Sequence, residues 1–171
     1  RQREILASFG VGAKAYACTI CRIEPENNCH LILEAFSKTD IPLVFIGNWN
    51  LSAYGRELKA EYGRFCNIDI VDPGYDREQL FVLRKQCLFY IHGHSAGGTN
   101  PSLVEAMSCG APILAFDVGY NRETTGHKAC YWSTPEELAA LAHGTREEIS
   151  DCMEQLADEY YTWRKVVDRK T

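Results

Sequence analysis

Six short apolar runs, most of them separated by segments with helical spacing, constrain the fold of this chain more than any other feature. The runs at residues 16–23, 42–46, 67–71, 89–92, 112–116 and 129–132 read as strands. Residues 29–37 place Leu31, Ile32, Ala35 and Phe36 at helical spacing, and residues 3–9 read as helix. Residues 51–62 and 77–86 read as amphipathic helices, the second carrying Leu80, Phe81, Leu83 and Arg84. Short strands alternating with helices imply a parallel sheet covered on both faces and joined by right-handed crossovers. The expected fold is α/β, a Rossmann-like doubly wound parallel sheet. Its ligand belongs outside the carboxyl ends of the strands, at the topological switch point.

A length of 171 residues suits one domain spanning 1–171. Thr134 and Pro135 open a helix that runs to about His143, and a last helix is expected over about 145–169. The aromatic face of that last helix, with Tyr160, Tyr161 and Trp163, packs either on the sheet or on a lobe outside this sequence. With 46% hydrophobic and 24% charged residues, disorder is excluded. The net charge of 18 − 23 = −5 opposes a general nucleic-acid or anionic-membrane surface, so any phosphate site must be local. No apolar run is long enough to span a membrane and no signal-like stretch follows Arg1, so a cytoplasmic chain is expected.

The eight cysteines are scattered rather than framed, which fits reduced thiols. Cys18 and Cys21 match C-x-x-C, but in a strand their side chains point to opposite faces. His92 and His94 form H-x-H without a third ligand, so no metal is expected. Gly10-Val11-Gly12-Ala13-Lys14-Ala15 fits a dinucleotide pattern but precedes the first strand instead of following it.

The strongest local signal runs from His92 to Met107. A strand leads through a glycine-rich turn into a helix with Asn100 as N-cap and Pro101 at its first position. Gly97 and Gly98 let the backbone approach a ligand, and free amides of Ser102 and Leu103 with the helix dipole would stabilise phosphate. Ser95 and Thr99 can add hydroxyls. Glu105 can accept both hydroxyls of a ribose, or it is a solvated or salt-bridged surface residue. If it binds ribose, Glu105→Gln should weaken ribonucleotides and leave the melting temperature nearly unchanged. After the first strand, Arg22 can take a phosphate bidentately, or pair with Glu24 or Glu26. Residues 119–123 read as a polar turn on the same edge.

Residues 22–36 (RIEPENNCHLILEAF), the glycine of Phe45-Ile46-Gly47, residues 67–74 with Glu78-Gln79-Leu80, and above all residues 100–112 (NPSLVEAMSCGAP) with 119–123 carry a family resemblance. They resemble the C-terminal, donor-binding half of retaining glycosyltransferases of the GT-B fold, the group 1 or family four enzymes. Within these the chain is most similar to bacterial rhamnosyltransferase-like members, over about residues 16–143. The resemblance implies that Arg22 is catalytic, contacting the donor diphosphate, and that Glu105 holds the ribose. It further implies that Gly97, Gly98, Thr99, Asn100, Pro101 and Ser102 cradle phosphate and sugar. No cofactor is implied, because the nucleoside-diphosphate sugar is a substrate. The acceptor, a glycan or a lipid-linked molecule, would reach the site through an N-terminal lobe outside this sequence, so the isolated domain should be inactive. The full-length protein would lie in the cytoplasm or at the inner face of a membrane.

Two positions depart from the family. Asn27 stands where a lysine is usual, and Gly97 where a glutamate is usual; His94 and Thr99 are candidate substitutes. Two other functions remain open at this level: a nucleotide-sugar epimerase of the same architecture, and a non-catalytic nucleotide-binding module.

Overall fold

The computed structural model describes residues 1–98 and 100–143. Its strands are β1 (Ala17–Ile20), β2 (Leu43–Ile46), β3 (Ile68–Val71), β4 (Phe89–His92), β5 (Ile113–Phe116) and β6 (Cys130–Trp132). Its helices are α1 (Gln2–Ser8), α2 (Cys29–Ser37), α3 (Ala53–Tyr62), α4 (Arg77–Lys85), α5 (Pro101–Ser108), α6 (Gly119–Thr124) and α7 (Pro135–Ala142). Every strand pair is parallel, in the order β3-β2-β1-β4-β5-β6. The chain starts in the middle, steps outward to β3, returns to β4 and steps out the other way. The expected doubly wound sheet is therefore the observed one, with its switch point between β1 and β4.

Alternation along the strands sorts the core into two layers. Cys18, Val44, Tyr90 and Ile113 face Leu6 of α1, Leu83 of α4 and Leu103 and Met107 of α5. Ala17, Phe45, Ile91 and Leu114 face Ile32 and Phe36 of α2, Leu58 of α3 and Leu138 of α7. Cys18 and Cys21 do fall in opposite layers. Among the described residues, no helix is long and apolar enough to cross a membrane.

The first strand is shorter than its apolar run of 16–23 suggests. Beyond Cys21, whose amide still bonds the Ile46 carbonyl, side chains replace the ladder: the Ile23 amide donates to Asn48 Oδ1 at 2.8 Å, and the Arg22 carbonyl accepts from Asn27 Nδ2 at 2.7 Å. Residues 119–123 are not a polar turn but part of α6, a six-residue helix too short to show its period in sequence. The helix expected over about 145–169 lies outside the described residues.

β1 pairs with β4 only at Ala17↔Phe89 and Cys18↔Tyr90, whereas four of its residues pair with β2. The two central strands thus part toward their carboxyl ends. Polar side chains span the gap: Thr19 Oγ1 donates to the Ile91 carbonyl at 3.2 Å. Higher up, the hydroxyls of Tyr90 and Ser102 lie 2.6 Å apart, and each is within 3.0 Å of the Ile20 carbonyl. Two hydroxyl hydrogens serve these three contacts, and burial holds the Tyr90 phenol protonated well above its ordinary range. Tyr90→Phe removes one hydrogen and leaves Ser102 on Ile20. We expect a loss of about 1 kcal/mol and a melting temperature lower by about 2–4 °C, read from thermal unfolding.

Candidate functional site

The loops at the divergent ends of β1 and β4 are stitched together by side-chain amides. A short 3-10 turn, Pro25–Asn27, follows β1 and ends at Asn28, whose φ of 49° is left-handed. Asn28 Nδ2 donates to the Gly93 carbonyl at 2.8 Å. A Cβ at Gly93 would stand 2.2 Å from the Asn27 carbonyl, so the loops touch because this position has no side chain. Asn27 is buried, with its Nδ2 on the Arg22 carbonyl and its Oδ1 2.6 Å from His94 Nδ1. Because the Asn27 oxygen can only accept, His94 Nδ1 carries the hydrogen. The His94 carbonyl in turn accepts from Asn121 Nδ2 at 2.9 Å, which also bonds the Phe116 carbonyl. The ends of β1, β4 and β5 are thereby one hydrogen-bonded unit.

Arg22 projects from this unit with 75% of its side chain exposed, and its ion pair to Glu24 is loose at 3.7 Å. Arg22 lines a cleft of about 360 Å³ with Ile20, Cys21, Gly47, Tyr75 and Leu80. His92 closes β4 and is buried as a structural histidine should be, yet its Nε2 has no hydrogen-bond partner among the described residues. Burial, with help from the neighbouring His94, lowers its pKa to about 3 and keeps the ring neutral.

The glycine-rich turn leads into α5 as the sequence suggests. Asn100 Oδ1 accepts from the Ser102 amide at 2.9 Å and Pro101 takes the first helical position. One expectation is corrected here. The amides of Ser102 and Leu103 are not free for an anion, since Ser102 bonds the Asn100 side chain and Leu103 bonds the Asn100 carbonyl at 3.1 Å. The cap that starts the helix consumes them. The helix dipole and the exposed backbone of Gly97 and Gly98 remain; their φ values of 30° and 80° favour glycine, although a Cβ at either would meet nothing within 4 Å. Thr99 lies outside the described residues. Ser95 donates to the Glu26 carbonyl, and the Ser102 hydroxyl turns inward onto Ile20, so the first turn of α5 rests two residues from Arg22.

Glu105 sits one turn beyond Ser102 on the same helix face. Its Oε2 lies 2.8 Å from Arg84 Nη2; its side chain is 60% exposed against 9% for Arg84. Of the two sequence alternatives the structure shows the salt-bridged one, with Oε1 left without a partner among the described residues. Arg84 and Glu105 line a second cleft of about 860 Å³, and Leu80 lines both clefts. The other cation at this edge, Arg122, is spent locally: it grips Asp117 at 2.6 and 2.9 Å and stacks on Tyr131. Among the described residues no group of three or more His, Cys, Asp or Glu could hold a metal ion.

Asn48, Asn121 and Arg84 were not singled out for the site by sequence reasoning. The signal for Arg84 was present, a cation within the apolar stripe of α4, whereas nothing in the spacing of Asn48 or Asn121 marks a loop brace.

Residues 2–161 match the family described as glycosyl transferases group 1. The fold is similar to that of Anabaena HepE in complex with UDP and glucose, with a TM-score of 0.83 at 18% identity. That match covers 98% of this chain and 50% of HepE, so the chain spans half of that protein's length. The C-terminal domain of the group 1 glycosyl transferase LpcC from Francisella tularensis gives 0.74 at 17% identity, covering 95% of this chain and 94% of the domain. Sucrose-phosphate synthase from Thermosynechococcus elongatus gives 0.80 at 16%, covering 98% and 46%.

Two measurements follow from this geometry. Glu105→Gln strips the charge partner from a buried guanidinium while keeping an acceptor, so the melting temperature should fall, by about 1–3 kcal/mol of stability, rather than stay unchanged. For His92, the folded pKa of about 3 lies below the ordinary 6.5, so the unfolded chain binds the extra proton. Its contribution is complete above pH 6.5 and is lost as pH falls from 6.5 toward 3, at about 1.4 kcal/mol per pH unit. Ring chemical shifts should show no transition of His92 between pH 5 and 8; a transition near 6.5 would show an exposed ring.

Proposed function

The chain belongs to the group 1 glycosyl transferases, and from that premise we propose that it is the donor-binding half of a retaining enzyme with two lobes. The reaction moves a sugar from a nucleoside diphosphate to a glycan or lipid-linked acceptor, which enters from the other lobe. One observation carries this reading: the Ser102 hydroxyl on the Ile20 carbonyl sets the start of α5 beside Arg22, at the crevice where β1 and β4 part. A cation and a helix N-terminus then lie at the same crevice, which suits a diphosphate. The UDP–glucose complexes of the similarly folded HepE support a nucleotide sugar as the ligand class.

In this reading Arg22 is the catalytic residue. As the bond from the anomeric carbon to the phosphate oxygen breaks, the electron pair leaves on the diphosphate, and Arg22 with the α5 dipole stabilises the growing charge. The acceptor hydroxyl oxygen bonds the anomeric carbon and passes its proton to the departing phosphate oxygen. The Gly97–Gly98 turn with Asn100 and Pro101 approaches phosphate and sugar through its backbone, and Thr99 is proposed to bind there too. His94, held by Asn27, turns its other ring nitrogen to the sugar, and Glu105 Oε1 takes the ribose. Asn27 cannot replace the usual lysine charge, because it is neutral and buried. Charge stabilisation therefore rests on Arg22 to an unusual degree.

Arg22→Ala tests this. Binding of UDP should weaken by about 1.5–3 kcal/mol, the scale of a charge-assisted bond, while uridine binding hardly changes. Calorimetric titration with both ligands decides it; equal losses for both would remove Arg22 from the diphosphate.

A further inference from the structure

The Arg84–Glu105 pair joins α4 to α5 in a way that a surface bridge does not. Arg84 is buried, the Glu105 carboxylate is its ion-pair partner among the described residues, and its Nε has no hydrogen bond there. A guanidinium buried with so few partners is costly, and an apolar side chain would fill the same space at less expense. The C-terminal turn of α4 offsets part of that cost, since Arg84 and Lys85 lie where the helix dipole favours cations. The dipole does not explain why the guanidinium reaches across to one oxygen of a carboxylate that is itself mostly in solvent.

The asymmetry suggests a use. The helix carrying Arg84 is itself fixed, by the Asp76–Gln79 capping box at its start and by buried Val82 and Leu83 beside the arginine. Nη2 lies 2.8 Å from Oε2, which ties one oxygen of the carboxylate to α4, and Glu105 lines the cleft that shares Leu80 with the Arg22 cleft. We propose that Arg84 is a positioning residue: its planar guanidinium orients Glu105 so that Oε1 accepts a ribose hydroxyl, and thereby sets the preference for ribonucleotides. This rests on the reading of Glu105 as the ribose acid. Arg77 lies in the same cleft and supplies background charge without an ion pair to Glu105.

The test compares UDP with 2′-deoxy-UDP by calorimetry on the unaltered chain and on Arg84→Met, Arg84→Lys, Glu105→Gln and the Arg84→Met/Glu105→Gln double variant. Arg84→Met should cut the preference for UDP about tenfold, the scale of one charge-assisted bond, through weaker UDP binding rather than stronger deoxy binding. In the Glu105→Gln background the same exchange should change the preference by less than about twofold, because the two residues act as one unit. Arg84→Lys keeps the buried charge but not the planar fork, so it should still lose at least about threefold in preference. A plain brace between α4 and α5 would instead lower the melting temperature in Arg84→Met and leave the preference at its original value, overturning the proposal. If Arg84→Met fails to fold, an unchanged preference in Arg84→Lys overturns it equally. An unchanged preference in Glu105→Gln would sink the ribose reading itself and this proposal with it, and it is told apart because it appears in a variant that retains Arg84.

Discussion

The parting of β1 from β4 is the constraint on which the rest of the site depends. Two parallel strands that stay paired to their ends leave no room between them, but here the ladder stops at Cys18↔Tyr90. Beyond that pair, backbone groups at the centre of the sheet need other partners. Thr19, Tyr90 and Ser102 supply them through hydroxyls. Ser102 stands on α5, so the same contacts that satisfy the opened strands also seat the helix. The crevice and the helix N-terminus beside it are two results of one mismatch in pairing.

Amides carry the next layer of the structure. Asn27, Asn28, Asn48 and Asn121 each bridge a loop to backbone or side-chain groups of another segment, and together they hold the strand-end loops in register. An amide can donate and accept at once, so one side chain ties two segments without bringing charge into the crevice. Asn27 shows what this exchange entails. A lysine there would add a second cation to the crevice, whereas the asparagine spends both its polar atoms on the Arg22 carbonyl and His94. The site trades a second charge for a fixed place for the first.

The βα alternation was legible because each strand is four residues or so of nearly continuous apolar sequence, as a sheet buried on both faces requires. Phe89–His92 and Cys29–Ser37 could be bounded to the residue. The Asn100–Pro101 cap was legible too, since an N-cap and a proline at the first position have local signatures. What the cap does to the neighbouring amides was not, because a residue chosen to satisfy Ser102 N–H also removes it from any ligand. The partner of Glu105 was hidden for another reason. Residues 84 and 105 are distant in sequence, and only the packing of α4 against α5 on one sheet face brings them together. The α6 segment escaped notice because six residues contain less than two helical turns.

The cations near the strand ends are unevenly paired. The chain carries a net charge of −5, so any anionic ligand approaches against the average field and has to be held by local groups. Arg122 is neutralised by Asp117 and Arg84 by Glu105, each within 2.9 Å. Arg22, by contrast, keeps most of its side chain in solvent and only a loose contact to Glu24. Pairing of Arg122 and Arg84 therefore leaves Arg22 and the dipole of α5, both anchored through Ile20 and the loop that follows it, as the attraction at the crevice, with Arg77 in the adjoining cleft. A ligand with a compact double negative charge gains from that concentration, whereas an extended polyanion, which needs many spaced cations, does not.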